Sequence, residues 1–169
     1  ILCQQSREVA ALCWLLADNA DGLDPDEAEL AGLMRDIGIV PLLVMAEHHP
    51  GLWSSEARLN TVIGQLRAEF GAALLESWAC PAGLVEAVRH ADDWHYQSGE
   101  QAPQLVDVLI TARLHFMISS SQNDGLPALN QVPALRRLGG PEPDASRSQA
   151  LLAEARARVE QTQQLLSTR

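Results

Sequence analysis

The chain has 169 residues, of which 47% are hydrophobic, and a formal net charge of −10 at pH 7. This length and composition predict a folded domain with a sizeable core and exclude a disordered chain. The acidic balance disfavours nucleic-acid binding, which depends on cationic side chains that neutralise phosphates. We expect no membrane span, because no uncharged apolar run reaches about 18 residues.

The first predicted helix covers residues 1–19. Its apolar side chains follow the i, i+3, i+4, i+7 spacing of one helical face: Val9, Leu12, Cys13 and Leu16. Strand signals are nearly absent along the whole chain, since no sustained alternation of apolar and polar residues occurs. The predicted fold class is therefore all-α.

A second helix is predicted to begin after Asp24. Asp24 is a suitable N-cap, Pro25 occupies the first helical position, and Glu27 lies three residues after the cap. Gly38 and Pro41 are expected to bend or break the apolar stretch that follows.

The remaining elements are predicted in chain order from the same signals. A loop, "HPGLWSS", is followed by helices near 55–66, 67–79, 81–94, 103–119, 126–138 and 145–167. Either Asp144 or Ser146 is able to cap the last helix. This pattern predicts a helical core over 1–138, a linker over 139–145, and a C-terminal helix over 146–169 that packs on the core or extends from it.

Several catalytic and cofactor motifs are missing from the sequence. It contains no HExxH, no Cys/His zinc spacing, no Gly-rich phosphate loop and no GxSxG. We therefore predict no catalytic residue and no cofactor from motifs.

The residues that call for an explanation are charges inside apolar helices: Arg35, Asp36, Arg67, Asp107 and Arg113. A buried arginine is unfavourable unless a carboxylate pairs with it. The alternative is that each side chain reaches along the surface to solvent. We expect pairing for Arg35, Asp36 and Arg113, and leave both alternatives open for Arg67.

Three ordered segments resemble the HDOD domain, an output-domain relative of the HD metal-dependent phosphohydrolases. They are "DPDEAELAGLMRDIGIVPLL", "EFGAALLESWACPAGLVEAVRHADDW" and "QLVDVLITARLHFMIS". The resemblance implies an HD-like bundle of about seven or eight helices that lacks the usual N-terminal part of an HDOD domain. It also implies a cytoplasmic signalling role in bacteria, with protein partners or neighbouring signalling domains.

The same resemblance locates the metal-binding places of the catalytic HD relatives, which use histidines and aspartates. In this sequence those places hold Gln5, Arg35, Asp36, Arg67, His90 and Arg113. Only Asp36 and His90 retain a ligand type, and guanidinium groups repel metal ions. The resemblance therefore implies a vestigial site without metal or hydrolytic activity.

If the fold brings those places together, Arg35, Arg67 and Arg113 should converge around Asp36. Such a cluster is either a salt-bridge staple that replaces the metal or an anion pocket that holds phosphate or carboxylate. The leading functional hypothesis is a non-catalytic output or scaffold module. The alternatives are a regulatory anion- or nucleotide-binding domain and, less favoured, an active metal-dependent phosphohydrolase.

Overall fold

The computed structural model describes residues 2–49, 51, 55–120 and 125–167. Within these ranges all regular structure is helical and no strand occurs, which confirms the all-α prediction. Most of the loop predicted at "HPGLWSS" lies outside the described residues. No helix in the described part of the chain has the length and apolarity needed to cross a bilayer.

The helices are numbered α1 to α8 in chain order. Their bounds are Leu2–Asp18, Pro25–Met34, Ile39–Glu47, Glu56–Ser77, Ala82–Arg89, Leu105–Ser119, Pro133–Leu138 and Ala145–Ser167, with a short 3₁₀ turn at Leu129–Gln131.

The capping signals of the sequence correspond to real helix starts. The Asp24 carboxylate accepts a hydrogen bond of 2.9 Å from the backbone N–H of Asp26, with Pro25 in the first turn of α2. The Asp144 carboxylate likewise accepts from the backbone N–H of Arg147 at 2.8 Å and begins α8. Local chemistry therefore fixes both starts.

Three boundaries were predicted wrongly. The helix expected at 81–94 ends at Arg89, so Asp92 and Trp94 lie beyond it. The helices expected at 55–66 and 67–79 are one continuous helix, α4, capped by the Ser55 hydroxyl. Gly64 weakens a helix interior by only about 1 kcal/mol, which does not suffice to interrupt it. The short helix expected at 126–138 is divided into the 3₁₀ turn and α7, because Pro133 starts a new helix.

Helix α6 forms the centre of the bundle. It packs against α1, α2, α5, α7 and α8, and its Leu109, Ile110 and Leu114 are fully buried. Burying each of these side chains contributes roughly 1.5–3 kcal/mol.

A buried ion pair attaches α7 to α6. The Asp107 carboxylate is 0% exposed and accepts hydrogen bonds of 2.9 and 3.0 Å from Arg137 Nε. The same carboxylate accepts from the Gln104 backbone N–H at 2.9 Å, which completes a capping box at the start of α6. Asp107 therefore has a partner that the local sequence did not indicate.

Helix α8 packs on α1 and α6, so within the described residues it belongs to the same bundle. Arg156 Nε donates to the buried Glu8 carboxylate at 2.9 Å. Arg158 lies 3.7 Å from the ring centre of Trp14 and 3.3 Å from a Glu29 carboxylate oxygen.

The contact between α6 and α8 includes a buried histidine. His115 Nδ1 lies 2.9 Å from the Ser148 hydroxyl oxygen. Burial lowers the pKa of His115 to about 4, Arg147 acts in the same direction, and Asp144 acts weakly against it. The imidazole is therefore neutral at physiological pH.

Two glycines allow helices to approach closely. A Cβ on Gly32 would lie 2.5 Å from the Ala10 Cα, so α1 and α2 pack backbone to backbone. A Cβ on Gly38 would lie 2.0 Å from the Arg67 carbonyl oxygen. The turn after α2 is therefore held directly against α4, which brings Asp36 near Arg67.

Candidate functional site

Asp36 lies in the turn between α2 and α3 and contacts side chains of two other elements, α1 and α4. The Ser6 hydroxyl of α1 donates to it at 3.0 Å. Arg35 donates from Nε and Nη2 at 3.2 and 2.9 Å. Arg67 Nη1 of α4 lies 2.9 Å from the Oδ1 atom of Asp36.

A second carboxylate, Asp92, lies in the turn after α5. Arg67 Nη2 donates to its two oxygens at 2.8 and 2.6 Å, and Arg113 Nη2 of α6 lies 2.9 Å away. Arg67 therefore bridges the two aspartates, one on each side of its guanidinium group.

Arg113 has two further contacts at the same turn. Its Nη1 donates to the Ala91 carbonyl oxygen, and its guanidinium carbon lies 4.7 Å from the ring centre of Trp94. The arginine cluster, defined as Arg35, Asp36, Arg67, Asp92 and Arg113, thus joins α4, α6 and the turns that follow α2 and α5.

The cluster is largely withdrawn from solvent. The side chains of Arg35, Asp36, Arg67 and Arg113 are 10–15% exposed, and that of Asp92 is 30% exposed. Three guanidinium groups face two carboxylates, so one positive charge is in excess.

The burial and the neighbouring charges shift two pKa values in the cluster. Burial lowers the pKa of Arg113 to about 10; Asp92 opposes that shift, while Arg35 and Arg67 add to it. For Asp92, burial would raise the pKa, but Arg113 and Arg67 together lower it below its ordinary value. Arg113 and Asp92 therefore both stay charged at neutral pH.

Two N–H groups of the cluster have no partner within the described ranges. They are the buried Nε groups of Arg67 and Arg113. An unsatisfied buried donor is unfavourable by about 1–3 kcal/mol, so the cluster is not fully saturated with acceptors.

The structure brings together Arg35, Asp36, Arg67 and Arg113, as the resemblance implied. However, Arg113 pairs with Asp92 and not with Asp36. The other two residues of the predicted site, Gln5 and His90, are not part of the arginine cluster. Gln5 lies in α1 immediately before Ser6, which supplies the contact to Asp36.

His90 follows α5 and does not pair with the aspartates in the described structure. Its ring stacks on Tyr96, with ring centres 3.9 Å apart. The Tyr96 hydroxyl in turn donates to Glu86, and burial followed by this hydrogen bond raises the pKa of Tyr96 to about 12.

Sequence reasoning missed Asp92 and Ser6. The signal for Asp92 was the acidic doublet at 92–93, which begins three residues after the last residue of α5. Ser6 had no distinguishing signal, because a hydroxyl in a helix is most often a surface group.

The residues of this site do not fit a divalent metal. Among the residues that the structure describes, no group of three or more His, Cys, Asp or Glu side chains is placed to hold a metal ion. Both carboxylates of the cluster already neutralise guanidinium groups, which carry the same sign of charge as a metal. A metal ion at this place would have to displace those ion pairs.

The chain is similar in fold to a protein from Shewanella amazonensis SB2B whose crystal structure is described as that of a "putative metal-dependent phosphohydrolase". The TM-score is 0.66 at 21% sequence identity, and the alignment covers 91% of this chain and 58% of that one. The chain thus spans less than two thirds of that protein's length. The likeness shows a shared fold.

Comparison with curated proteins finds no match. Comparison with protein families finds the HDOD domain over residues 2–94, which is more than half of the chain. Those residues contain Arg35, Asp36, Arg67 and Asp92. The chain is a member of the HDOD family.

Proposed function

We propose that this HDOD chain is a non-catalytic output or scaffold module of bacterial signal transduction. It works in the cytoplasm by binding other proteins or neighbouring signalling domains. The observation that carries the proposal is the arginine cluster at the place of the HD metal site. A metal-dependent hydrolase needs neutral imidazoles and free carboxylates to hold cations and activate water.

The cluster serves as a structural staple in this proposal. Arg67 reaches from α4 to Asp36 and Asp92, and Arg113 reaches from α6 to Asp92. These ion pairs link elements that a metal would link in a catalytic relative.

An exposed apolar face on α3 is the surface best suited to a protein partner. Val40 and Val44 are 57% and 54% exposed, and Met45 is 48% exposed. Val40 and Val44 are four residues apart and lie on one helical face. The arginines of α8 are less suitable, because Arg156 and Arg158 pair within the chain.

Metal analysis and phosphatase assays of the purified protein test the absence of catalysis. We expect no stoichiometric iron, manganese or zinc and no hydrolysis of phosphomonoesters or phosphodiesters when these metals are added. Metal-dependent hydrolysis that disappears in Asp36→Asn would overturn the proposal and support the phosphohydrolase alternative.

A binding assay with isolated bacterial signalling domains tests the interaction surface. Val44→Glu should reduce that binding, whereas Glu56→Gln at the exposed start of α4 should leave it unchanged. Equal binding by both variants would exclude the α3 face.

The second candidate is a regulatory anion-binding domain. The excess positive charge of the cluster and the unpartnered Nε groups of Arg67 and Arg113 favour it. Thermal-shift measurements with phosphate and nucleotides distinguish the two candidates. Stabilisation that is lost in Arg113→Met would support the anion site, and no response at millimolar ligand would support the staple.

A further inference from the structure

A cavity of about 820 Å³ lies between the C-terminal end of α1, α6, the 129–142 segment and the start of α8. Pockets that bind small molecules range from about 300 to 1,000 Å³. None of the arginine-cluster residues lines this cavity. It is therefore separate from the vestigial HD site.

Six leucines supply most of the apolar part of the cavity wall. They come from α1, the 129–138 segment and α8: Leu15, Leu16, Leu129, Leu135, Leu138 and Leu151. Such walls favour a hydrocarbon group, because its transfer from water is worth about 25 cal/mol for each Å² buried.

The charged side chains that line the cavity are Arg136, Arg147 and Glu142. Arg147 is already engaged, since it donates to the Glu142 carbonyl oxygen and lies 3.4 Å from an Asp144 carboxylate oxygen. Arg136 is exposed and has no hydrogen bond or ion pair with a residue that the structure describes. One guanidinium group therefore remains to receive an anion.

Because His115 also lines the cavity but is neutral, it adds no positive charge. We propose that the cavity binds a small amphipathic monocarboxylic acid. Its hydrocarbon chain lies among the leucines, and its carboxylate is received by Arg136. A polyanion fits less well, because the cavity offers one free guanidinium group and Glu142 also lines it.

Isothermal titration of the whole chain with octanoate, octanol and inorganic phosphate tests this inference. Octanoate should bind with a stoichiometry of one and about tenfold more tightly than octanol, which lacks the charge, and phosphate should not bind. No binding of octanoate at millimolar concentration, or equal affinities for octanoate and octanol, would overturn the inference.

Variants of the charged residues assign the carboxylate position. Arg136→Gln should weaken octanoate binding about tenfold without affecting octanol, because an ion pair and hydrogen bond are lost. Arg58→Gln, an exposed arginine at the start of α4, is the matched control and should bind octanoate normally. Glu142→Gln should bind octanoate more tightly. Equal weakening by Arg136→Gln and Arg58→Gln would contradict the assignment.

Discussion

Replacing Asp92 with asparagine should destabilise the protein by about 2–3 kcal/mol. The change removes the negative charge that faces both Arg67 and Arg113 and leaves three guanidinium groups with one carboxylate. Breaking a buried ion pair costs about 3–5 kcal/mol, and an exposed pair contributes about 0–1 kcal/mol. The Asp92 side chain is 30% exposed, which places the effect between these limits.

Urea denaturation at pH 7 measures this effect. Glu76→Gln is the control, because it breaks the pair between Glu76 and Arg89, whose side chains are 56% and 31% exposed. The control should lose less than about 1 kcal/mol.

A double-mutant cycle with Arg113→Met isolates the ion pair. Asp92→Asn should cost less in the Arg113→Met background, with a coupling energy of at least about 1 kcal/mol. If Asp92→Asn is no more destabilising than Glu76→Gln, the staple reasoning is refuted.

Three other predictions concern the packing of α6 and its neighbours. Arg137→Met should lower the free energy of unfolding by about 3–5 kcal/mol in urea titrations, because Asp107 remains as an unpaired buried carboxylate; a loss below about 1 kcal/mol would contradict its burial. The pKa of His115 is lowered to about 4 in the folded protein. As pH falls, His115 is therefore protonated in the unfolded chain before it is protonated in the folded one. Stability should therefore be full above about pH 6.5 and decrease by about 2 kcal/mol between pH 7 and pH 5, and His115→Gln should show a smaller decrease in denaturation measured at both pH values. Arg156→Ala should destabilise by about 1–2 kcal/mol in the same assay, since Glu8 is buried and Arg156 is half-exposed; no change would mean that water already satisfies Glu8.

The parts of the fold that local chemistry determines could be predicted from the sequence. The start of α2 at Asp24 and Pro25, and the start of α8 at Asp144, depend on residues within one helical turn. The continuity of α4 could not be predicted in the same way, because the sequence around residues 64–67 does not distinguish one long helix from two short ones. The contacts of α4 with α3 and α5 form only in the folded bundle, so no local pattern predicts them.

The candidate site, too, could be predicted only in part. The resemblance located Arg35, Asp36, Arg67 and Arg113, since it aligns known places of a fold. Asp92 escaped notice because its partner Arg67 lies 25 residues away in the sequence. Such a pairing depends on how the turn after α5 meets α4, which no local pattern encodes.

The order of charges in the arginine cluster restricts how the sequence can change. Arg35, Asp36, Arg67, Asp92 and Arg113 form a line in which the sign alternates and both ends are positive. Replacing one arginine with histidine leaves an aspartate with fewer partners but does not yet assemble a metal site. A change from this cluster to a metal site would therefore pass through less stable intermediates, so single substitutions do not readily make that change.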